Sequence, residues 1–257
     1  MPNRVPRGGA RSAISLLAAV AAGAGLLAGC GTPTTAVSPA ALPVAASAAP
    51  PAGASPTPTP VDTRLPGLGP RTLKAVPADA RQVVVVTGAG KNSSVSHVVI
   101  HERQADGSWS DGPTWSAHNA RDGWTTDHHA GDLRSPAGVY GLTDAGGLLP
   151  DPGSKLPYDR SRGFYISGTG FKGESLAGSF DYVVAINYNR QPGTTPRDWT
   201  RPMGDSRGGG VWFHVDHGGP THACVSLPRP DMRELVRTLD PALHPVVVMG
   251  DADWLSR

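Results

Sequence analysis

The stretch WFHVDHGGPTHACVSLP, residues 212–228, joins a β-branched apolar run to a segment with helical periodicity. It holds three of the nine histidines and Cys224, one of only two cysteines in the chain. The Gly-Gly-Pro sequence in its middle favours a reversal, which would return Cys224 towards His214. A thiol becomes a nucleophile when a nearby base or positive potential favours its ionised form. The stretch therefore predicts a cysteine–histidine site between a strand and a helix.

The three histidines of this stretch are expected to differ in role. His214, at the end of a predicted strand, is placed to act as general base and acid for Cys224. His222 has poor geometry for taking the thiol proton; it is expected to contact the substrate carbonyl, with the role of base as the alternative. His217 is expected to be a solvated loop residue. Backbone N–H groups near Ala223 are expected to stabilise an oxyanion.

Metal binding is the rival interpretation of the same residues. The ligand types that zinc accepts are present at His214, Asp216, His217, His222 and Cys224. Strand and loop geometry would scatter these side chains, and no HExxH cluster occurs in the sequence. We therefore expect neither a metal nor another cofactor.

The fold class is predicted to be mainly β, with a single β-rich domain of sandwich or barrel type. Short β-branched runs separated by Gly and Pro indicate strands at residues 81–88, 95–109, 137–143, 163–168, 182–188, 210–215 and 245–250. The first two are expected to form a hairpin, and Asp106-Gly107 marks a turn. One helix is predicted at residues 229–241, after Cys224, with Pro241 as its stop.

Long loops are predicted at residues 110–136 and 190–209, and loops of that length are usually functional or mobile. Four tryptophans lie in or beside them. They are interpreted either as half-buried core indoles or as a platform for a sugar or peptide: Trp109, Trp115, Trp124 and Trp199.

The N-terminus has the layout of an export signal. Arg4, Arg7 and Arg11 precede the apolar stretch AISLLAAVAAGAGLLAGC, which is short for a membrane span. Its last four residues, LAGC, resemble the lipobox of bacterial lipoproteins, which implies that Cys30 is acylated and becomes the mature N-terminus. A plain signal peptide cut near Ala28 is the alternative.

The chain is accordingly divided into a lipoprotein signal peptide at 1–29, an Ala/Pro/Thr/Ser-rich tether at 30–70 and a catalytic domain at 71–257. Lipidation of Cys30 would leave Cys224 without a disulfide partner, which is unusual for an exported protein and points to a functional thiol. The formal net charge of +2 gives no basis for a nucleic-acid partner.

The segment THACVSL, residues 221–227, resembles the signature of the L,D-transpeptidase catalytic domain, a cysteine-dependent family. The residues that agree with the motif are Thr221, His222, Cys224 and Val225. Ala223 stands where the family has glycine, and Ser226 where it has asparagine. The added methyl group of Ala223 would shift the oxyanion hole if this position needs a positive φ.

Other parts of the chain extend the resemblance over most of residues 135–251. The segment FHV resembles the strand that delivers the catalytic histidine, here His214, whose ring a backbone carbonyl near Val215 would orient. The segment SPAGVYGLT resembles a family segment near the cleft. By resemblance, the substrate-binding residues are Thr221, Ser226 and Tyr140.

This resemblance implies an enzyme that cross-links peptidoglycan. The Cys224 thiolate would attack a carbonyl of a tetrapeptide stem, release the terminal D-residue and hold the rest as a thioester, which an amine of a neighbouring stem resolves. The alternatives are a carboxypeptidase that hands the acyl group to water and a non-catalytic cell-wall-binding module. Expected partners are peptidoglycan stem peptides, carbapenem-type inhibitors and, through the lipid anchor, the outer face of the cell membrane.

Overall fold

A ten-stranded sheet, curled into roughly half a barrel, organises the computed structural model, which describes residues 62–257. The strands are β1 Gln82–Gly88, β2 Val95–Arg103, β3 Trp109–His118, β4 Trp124–Thr125, β5 Ser135–Pro136, β6 Gly138–Gly141, β7 Ala145–Gly147, β8 Tyr158–Arg160, β9 Val183–Ala185, β10 Trp212–Val215, β11 Val225–Leu227 and β12 Val246–Asp251. The helices are α1 Pro70–Ala75, α2 Arg229–Thr238 and α3 Ala252–Leu255. The predicted mainly β fold is confirmed.

The main sheet has the strand order β6-β12-β1-β2-β3-β11-β10-β9-β7-β8, while β4 and β5 pair separately. The hairpin of β1 and β2 is present, and the predicted Asp106-Gly107 turn joins β2 to β3. β10 and β11 are parallel neighbours, with His214 opposite Ser226. The loop between them therefore has to run back along β10, and it returns Cys224 to the level of Trp212.

Alternation along β10 decides which of its side chains reach the site. Phe213 and Val215 are buried in the main core, whereas Trp212 packs into a smaller cluster with Phe164. Successive side chains of a strand point to opposite faces, so His214 lies on the same face as Trp212. Phe213 and Val215 therefore anchor β10 in the main core, and His214 points to the opposite face of the sheet.

The centre of the sheet is buried on both faces. In β1, Val84 and Val86 face the main core, and Val83 and Val85 face a second apolar cluster. A strand covered on both sides reads as a continuous apolar run, as VVVV does here. The predicted helix after Cys224 is α2, and it packs four apolar residues on the main core: Met232, Leu235, Val236 and Leu239.

Two secondary-structure predictions are wrong. The predicted loop at 110–136 begins inside β3, whose Asp-Gly-Pro sequence looks like a turn but lies where the pairing with β2 shifts register. The strand predicted at 163–168 is replaced by a 3₁₀ turn at Arg162–Phe164. Phe164 is buried in the small cluster, while its neighbour Tyr165 is 69% exposed. The segment therefore packs through the Phe164 side chain and does not pair with a strand.

Most of the tryptophans are core residues. Trp115 and Trp124 are buried in the main core, and Trp109 packs against the second cluster. Trp199 is 72% exposed, and the guanidinium of Arg201 lies 4.8 Å from its ring centroid. Of these four tryptophans, only Trp199 is exposed enough to act as a platform for a sugar or peptide.

The packed part of the chain begins before the predicted boundary at Arg71. Leu65 and Leu68, assigned to the tether, are buried in the second cluster, and the Gly69 N–H donates to the Leu255 carbonyl. The predicted signal peptide, Cys30 and the tether up to residue 61 lie outside the described residues. None of the helices within 62–257 has the length and apolar character that crossing a bilayer requires.

Candidate active site

A cavity of about 230 Å³ opens beside β10 and the start of β11. The sequence-predicted residues that line it are Thr221, His214, His222 and Cys224. Apolar side chains form much of its wall: Ile166, Phe171, Leu176 and Phe180. The predicted cysteine–histidine site is therefore brought together in one hollow.

The Cys224 thiol is held between two backbone groups of the segment that enters β10. The Trp212 N–H points at Sγ with an N–S distance of 3.4 Å, and the thiol donates to the Gly210 carbonyl at 3.6 Å. Burial raises the pKa of the Cys224 thiol to about 11, although the Trp212 N–H acts in the opposite direction. The resting thiol is therefore protonated at neutral pH.

The imidazole of His214 is fixed by its own strand. Its Nδ1 lies 2.9 Å from the Val215 carbonyl, as expected. Because a carbonyl oxygen only accepts hydrogen bonds, Nδ1 carries the proton and Nε2 has a lone pair. Phe180 packs edge-on against the ring. Burial, with a smaller contribution from the nearby imidazole of His217, lowers the pKa of His214 to about 4. The ring is therefore a neutral proton acceptor at pH 7.

His217 is not the solvated loop residue that the sequence suggested. Its side chain is only 5% exposed, and its Nδ1 lies 3.2 Å from Oε1 of Glu174. Its ring stacks on that of His214, with centroids 5.8 Å apart and planes 11° from parallel. His217 is therefore a second imidazole in the cavity wall, held by a carboxylate.

His222 occupies the rim of the cavity. The residue is exposed, and its ring lies 4.7 Å from the ring of Phe171, centroid to centroid. The guanidinium of Arg121 lies 5.0 Å from the Phe171 ring centroid. Within residues 62–257, no hydrogen bond joins the Cys224 thiol to either His222 or His214, so hydrogen bonding does not distinguish the two candidate bases.

The loop before β11 presents unused backbone donors next to the thiol. Within the described chain, the N–H groups of His222, Ala223 and Cys224 donate to no protein acceptor. The Thr221 hydroxyl donates to the Cys224 carbonyl at 2.6 Å and fixes the backbone there. Ala223 does not have a positive φ, and its methyl group packs against the main core. Alanine therefore fits this position without backbone strain.

The family model described as the L,D-transpeptidase catalytic domain (YkuD) matches residues 120–248, just over half of the chain. The protein belongs to this family. No curated protein and no solved structure matches the chain closely enough to count as similar. The matched part of the chain begins at Ala120, so β1, β2 and β3 lie outside it although they occupy the middle of the sheet.

Two residues that the sequence predicted to bind substrate do not line the cavity. Ser226 is fully buried and donates its hydroxyl to Oδ1 of Asp216 at 2.7 Å, so its observed task is to hold that carboxylate. Tyr140 donates to the Ala137 carbonyl at 3.3 Å and packs edge-on against Tyr188. Substrate contact by these two residues gains no support from the geometry.

The candidate zinc ligands do not converge. Asp216 faces His118 and Ser226, and His217 faces Glu174. Across residues 62–257, no three His, Cys, Asp or Glu side chains are placed to share a metal ion.

Sequence reasoning missed the side chains that support the site from distant segments. His118, at the end of β3, lies 2.9 Å from Oδ1 of Asp216 through its Nδ1. Partial burial alone would raise the pKa of Asp216, but hydrogen bonds from His118 and Ser226 hold it at about 2. The HVDH sequence placed an acid in this loop, whereas nothing in the sequence connected Asp216 or Glu174 with its partner.

Proposed function

We propose that the protein is a cysteine-dependent acyl transferase that forms peptidoglycan cross-links from tetrapeptide stems. The observation that carries the proposal is one cavity lined by a thiol and an oriented neutral imidazole, next to a loop whose N–H groups at His222, Ala223 and Cys224 have no protein acceptor. Acyl transfer through cysteine needs these three groups: a nucleophile, a base and donors for an oxyanion. Family membership gives the stem peptide as the substrate class.

Acylation would begin with proton transfer from Cys224 to Nε2 of His214. Sγ donates to the Gly210 carbonyl in the resting protein, so the thiol has to turn away from Gly210 to reach the imidazole. Catalytic hydrogen bonds of this kind often tighten only when substrate is bound. The thiolate then attacks the stem carbonyl, and the protonated His214 gives its proton to the amine of the departing D-residue.

The tetrahedral intermediate would place its oxyanion against the N–H groups of His222, Ala223 and Cys224. Donors that are already oriented and unpaired need no reorganisation when the charge develops. The hydrogen bond from Thr221 to the Cys224 carbonyl holds these donors in place. Loss of a single oxyanion donor typically costs about 100- to 1000-fold in rate.

The acyl-enzyme has two fates, and each defines an enzyme. Transfer to a neighbouring stem amine makes a transpeptidase, and transfer to water makes a carboxypeptidase. A mainly apolar wall, with Ile166, Phe171, Leu176 and Phe180, limits the water around the thioester and favours transfer. A non-catalytic wall-binding module would not require an oriented base in the same cavity as a thiol.

The proposal is tested by mass spectrometry after incubation with a carbapenem and, separately, with a tetrapeptide stem. We expect a covalent adduct on Cys224 in both cases and none in the Cys224→Ala variant. A tetrapeptide incubated with an amine-bearing second stem is expected to give a cross-linked dimer. A folded wild-type protein that forms no adduct with either compound would contradict the proposed function.

A further inference from the structure

His217 lines the cavity and is paired with Glu174 behind it, and the acylation step uses neither side chain. Both side chains are largely buried, with exposed fractions of 14% and 5%. Oε1 accepts from Nδ1 of His217, and Oε2 accepts from the Lys172 N–H at 2.7 Å. Desolvation alone would raise the pKa of Glu174, but its own backbone N–H, the Lys172 N–H and the His217 imidazole together hold it below its ordinary value. The carboxylate is therefore ionised next to the imidazole.

Two glycines make room for this carboxylate. A Cβ at either Gly170 or Gly219 would overlap Oε1 of Glu174. Neither glycine has a positive φ, so backbone conformation does not explain why these positions lack a side chain. The two glycines belong to separate segments, the loop before β9 and the loop between β10 and β11, and both bring backbone close to the carboxylate.

The orientation of His217 leaves one nitrogen for the cavity. Since a carboxylate only accepts, Nδ1 carries the proton, and Nε2 holds a lone pair that no protein group within residues 62–257 occupies. The ring lines the same cavity as Cys224 and stacks on His214. A proton acceptor backed by a negative charge therefore lies next to the position of the thioester.

We infer that Glu174 and His217 form the acceptor site, in which they bind the cationic amine of the second stem and remove its proton. This inference rests on the proposed function, because it concerns the second half of that reaction. An alkyl ammonium group is protonated at neutral pH and cannot attack a carbonyl until it loses a proton. The pair supplies both the negative charge that attracts the cation and the base that neutralises it.

Transfer of the acyl group to the second stem conserves protons and charge. Nε2 of His217 takes a proton from the ammonium group, and the free amine attacks the thioester carbonyl. The attacking nitrogen then passes a second proton to neutral His214, the C–S bond breaks, and the Cys224 thiolate takes that proton back. The products are an amide cross-link, the thiol and a protonated His217, which returns its proton to solvent.

His217 and His214 have different hydrogen-bond partners, which suits them to different proton transfers. His214 has no carboxylate partner and is turned to a carbonyl, whereas His217 is paired with Glu174. A positive charge on His217 disfavours a second one on His214, since their rings are stacked. The other charged or titratable groups around the pair are Asp216 in the same loop, His222 at the rim and Arg121 above Phe171. His214 therefore stays neutral and available for the thiol.

The test separates acylation from transfer in Glu174→Gln and His217→Gln, with Lys172→Gln as the matched control on the same loop. The side chain of Lys172 is exposed, and its contact with Glu174 is through the backbone, which the substitution keeps. Acylation by a carbapenem and by a tetrapeptide is measured first. The acyl-enzyme is then partitioned between a stem amine, water and hydroxylamine, an amine that is uncharged at neutral pH.

We expect both variants to acylate within a few-fold of wild type but to transfer to the stem amine about 10- to 100-fold more slowly. Transfer to hydroxylamine should stay near the wild-type rate, because it needs neither the negative charge nor the base. Lys172→Gln should behave as wild type. If Glu174 and His217 only hold the loop in place, their substitution would lower acylation and both transfers together, and that result would overturn the inference.

The competition between the two amines on wild-type protein gives a check that needs no variant. If the pair selects the charged acceptor, the stem amine outcompetes hydroxylamine at equal concentration, and the preference disappears in each variant that folds. Equal use of the two amines by wild type contradicts the acceptor site. Absence of any acylation of wild type contradicts the proposed function itself, so the two failures are distinguishable.

Discussion

Burial acts on both members of the Cys224–His214 pair, and it favours the uncharged form of each. The thiol pKa is raised to about 11 and the imidazole pKa is lowered to about 4. A resting thiolate–imidazolium pair is therefore disfavoured, and the charges separate when a substrate carbonyl and the loop N–H groups are ready to receive them. The cysteine is consequently expected to be slow towards simple alkylating reagents and fast towards acylating ones.

His214 and His222 are distinguished by two reagents. His214→Ala should slow both iodoacetamide alkylation and carbapenem acylation by about 100-fold or more near neutral pH, because the general base is lost. His222→Ala should spare alkylation and impair acylation, because only acylation passes through a tetrahedral intermediate. Both rates are measured against pH. Loss of alkylation in His222→Ala with normal alkylation in His214→Ala would assign the base to His222 instead.

The lowered pKa of His214 also makes a prediction about folding. The unfolded chain takes up a proton near pH 6.5, whereas the folded protein does so only near pH 4. Between these values the unfolded state binds more protons, so the free energy of unfolding falls as pH falls, by up to about 1.4 kcal/mol per pH unit from this residue. Urea denaturation of wild type and His214→Gln at pH 7, 5.5 and 4.5 measures this difference. Parallel curves for the two proteins would show that His214 is not buried as a neutral ring.

At the scale of elements, the sequence predicted what local pattern determines. The apolar run before His214 predicted a strand that carries this histidine near its end, and helical spacing predicted α2 after the thiol. The loops were different, since their structure depends on partners far along the chain. Glu174 meets His217 and Asp216 meets His118 only after the strands have assembled. No short-range pattern carries those contacts, which is why His217 was expected to be solvated.

The strands before the family match are tested by truncation. β1, β2 and β3 lie between β12 and β11 in the sheet, although the family match starts at residue 120. A fragment of residues 120–257 would lose these strands, keep β12 and α3 whole, and leave the facing edges of the neighbouring strands unpaired. We expect it to lack a cooperative thermal transition, whereas a fragment of residues 62–257 should keep one. Circular dichroism on both fragments measures this, and cooperative unfolding of the shorter fragment would show that the middle strands are dispensable.

At the scale of the whole molecule, the described domain is preceded by a segment whose sequence predicts both an anchor and a spacer. The Ala/Pro/Thr/Ser-rich composition of the segment after Cys30 cannot bury a core, so an extended tether is expected between lipid and domain. We propose that this arrangement holds the cavity away from the outer face of the membrane and within reach of the cell wall. A lipid-anchored enzyme of this kind would act only on stems within the span of its tether.

The proposed anchor is tested at Cys30, because the proposal makes acylation of that residue the step on which membrane attachment depends. If this one thiol is the acceptor, Cys30→Ala should either release the protein from the membrane fraction or leave its signal peptide uncut. Fractionation with intact-mass measurement distinguishes these results, and Cys224→Ala serves as the control that removes the other thiol without touching the anchor. The wild-type mature protein should carry a mass increase that hydrolysis of ester-linked fatty acids partly removes. If Cys30→Ala has the wild-type mature mass and stays in the membrane fraction, Cys30 is incidental, and attachment would need another explanation.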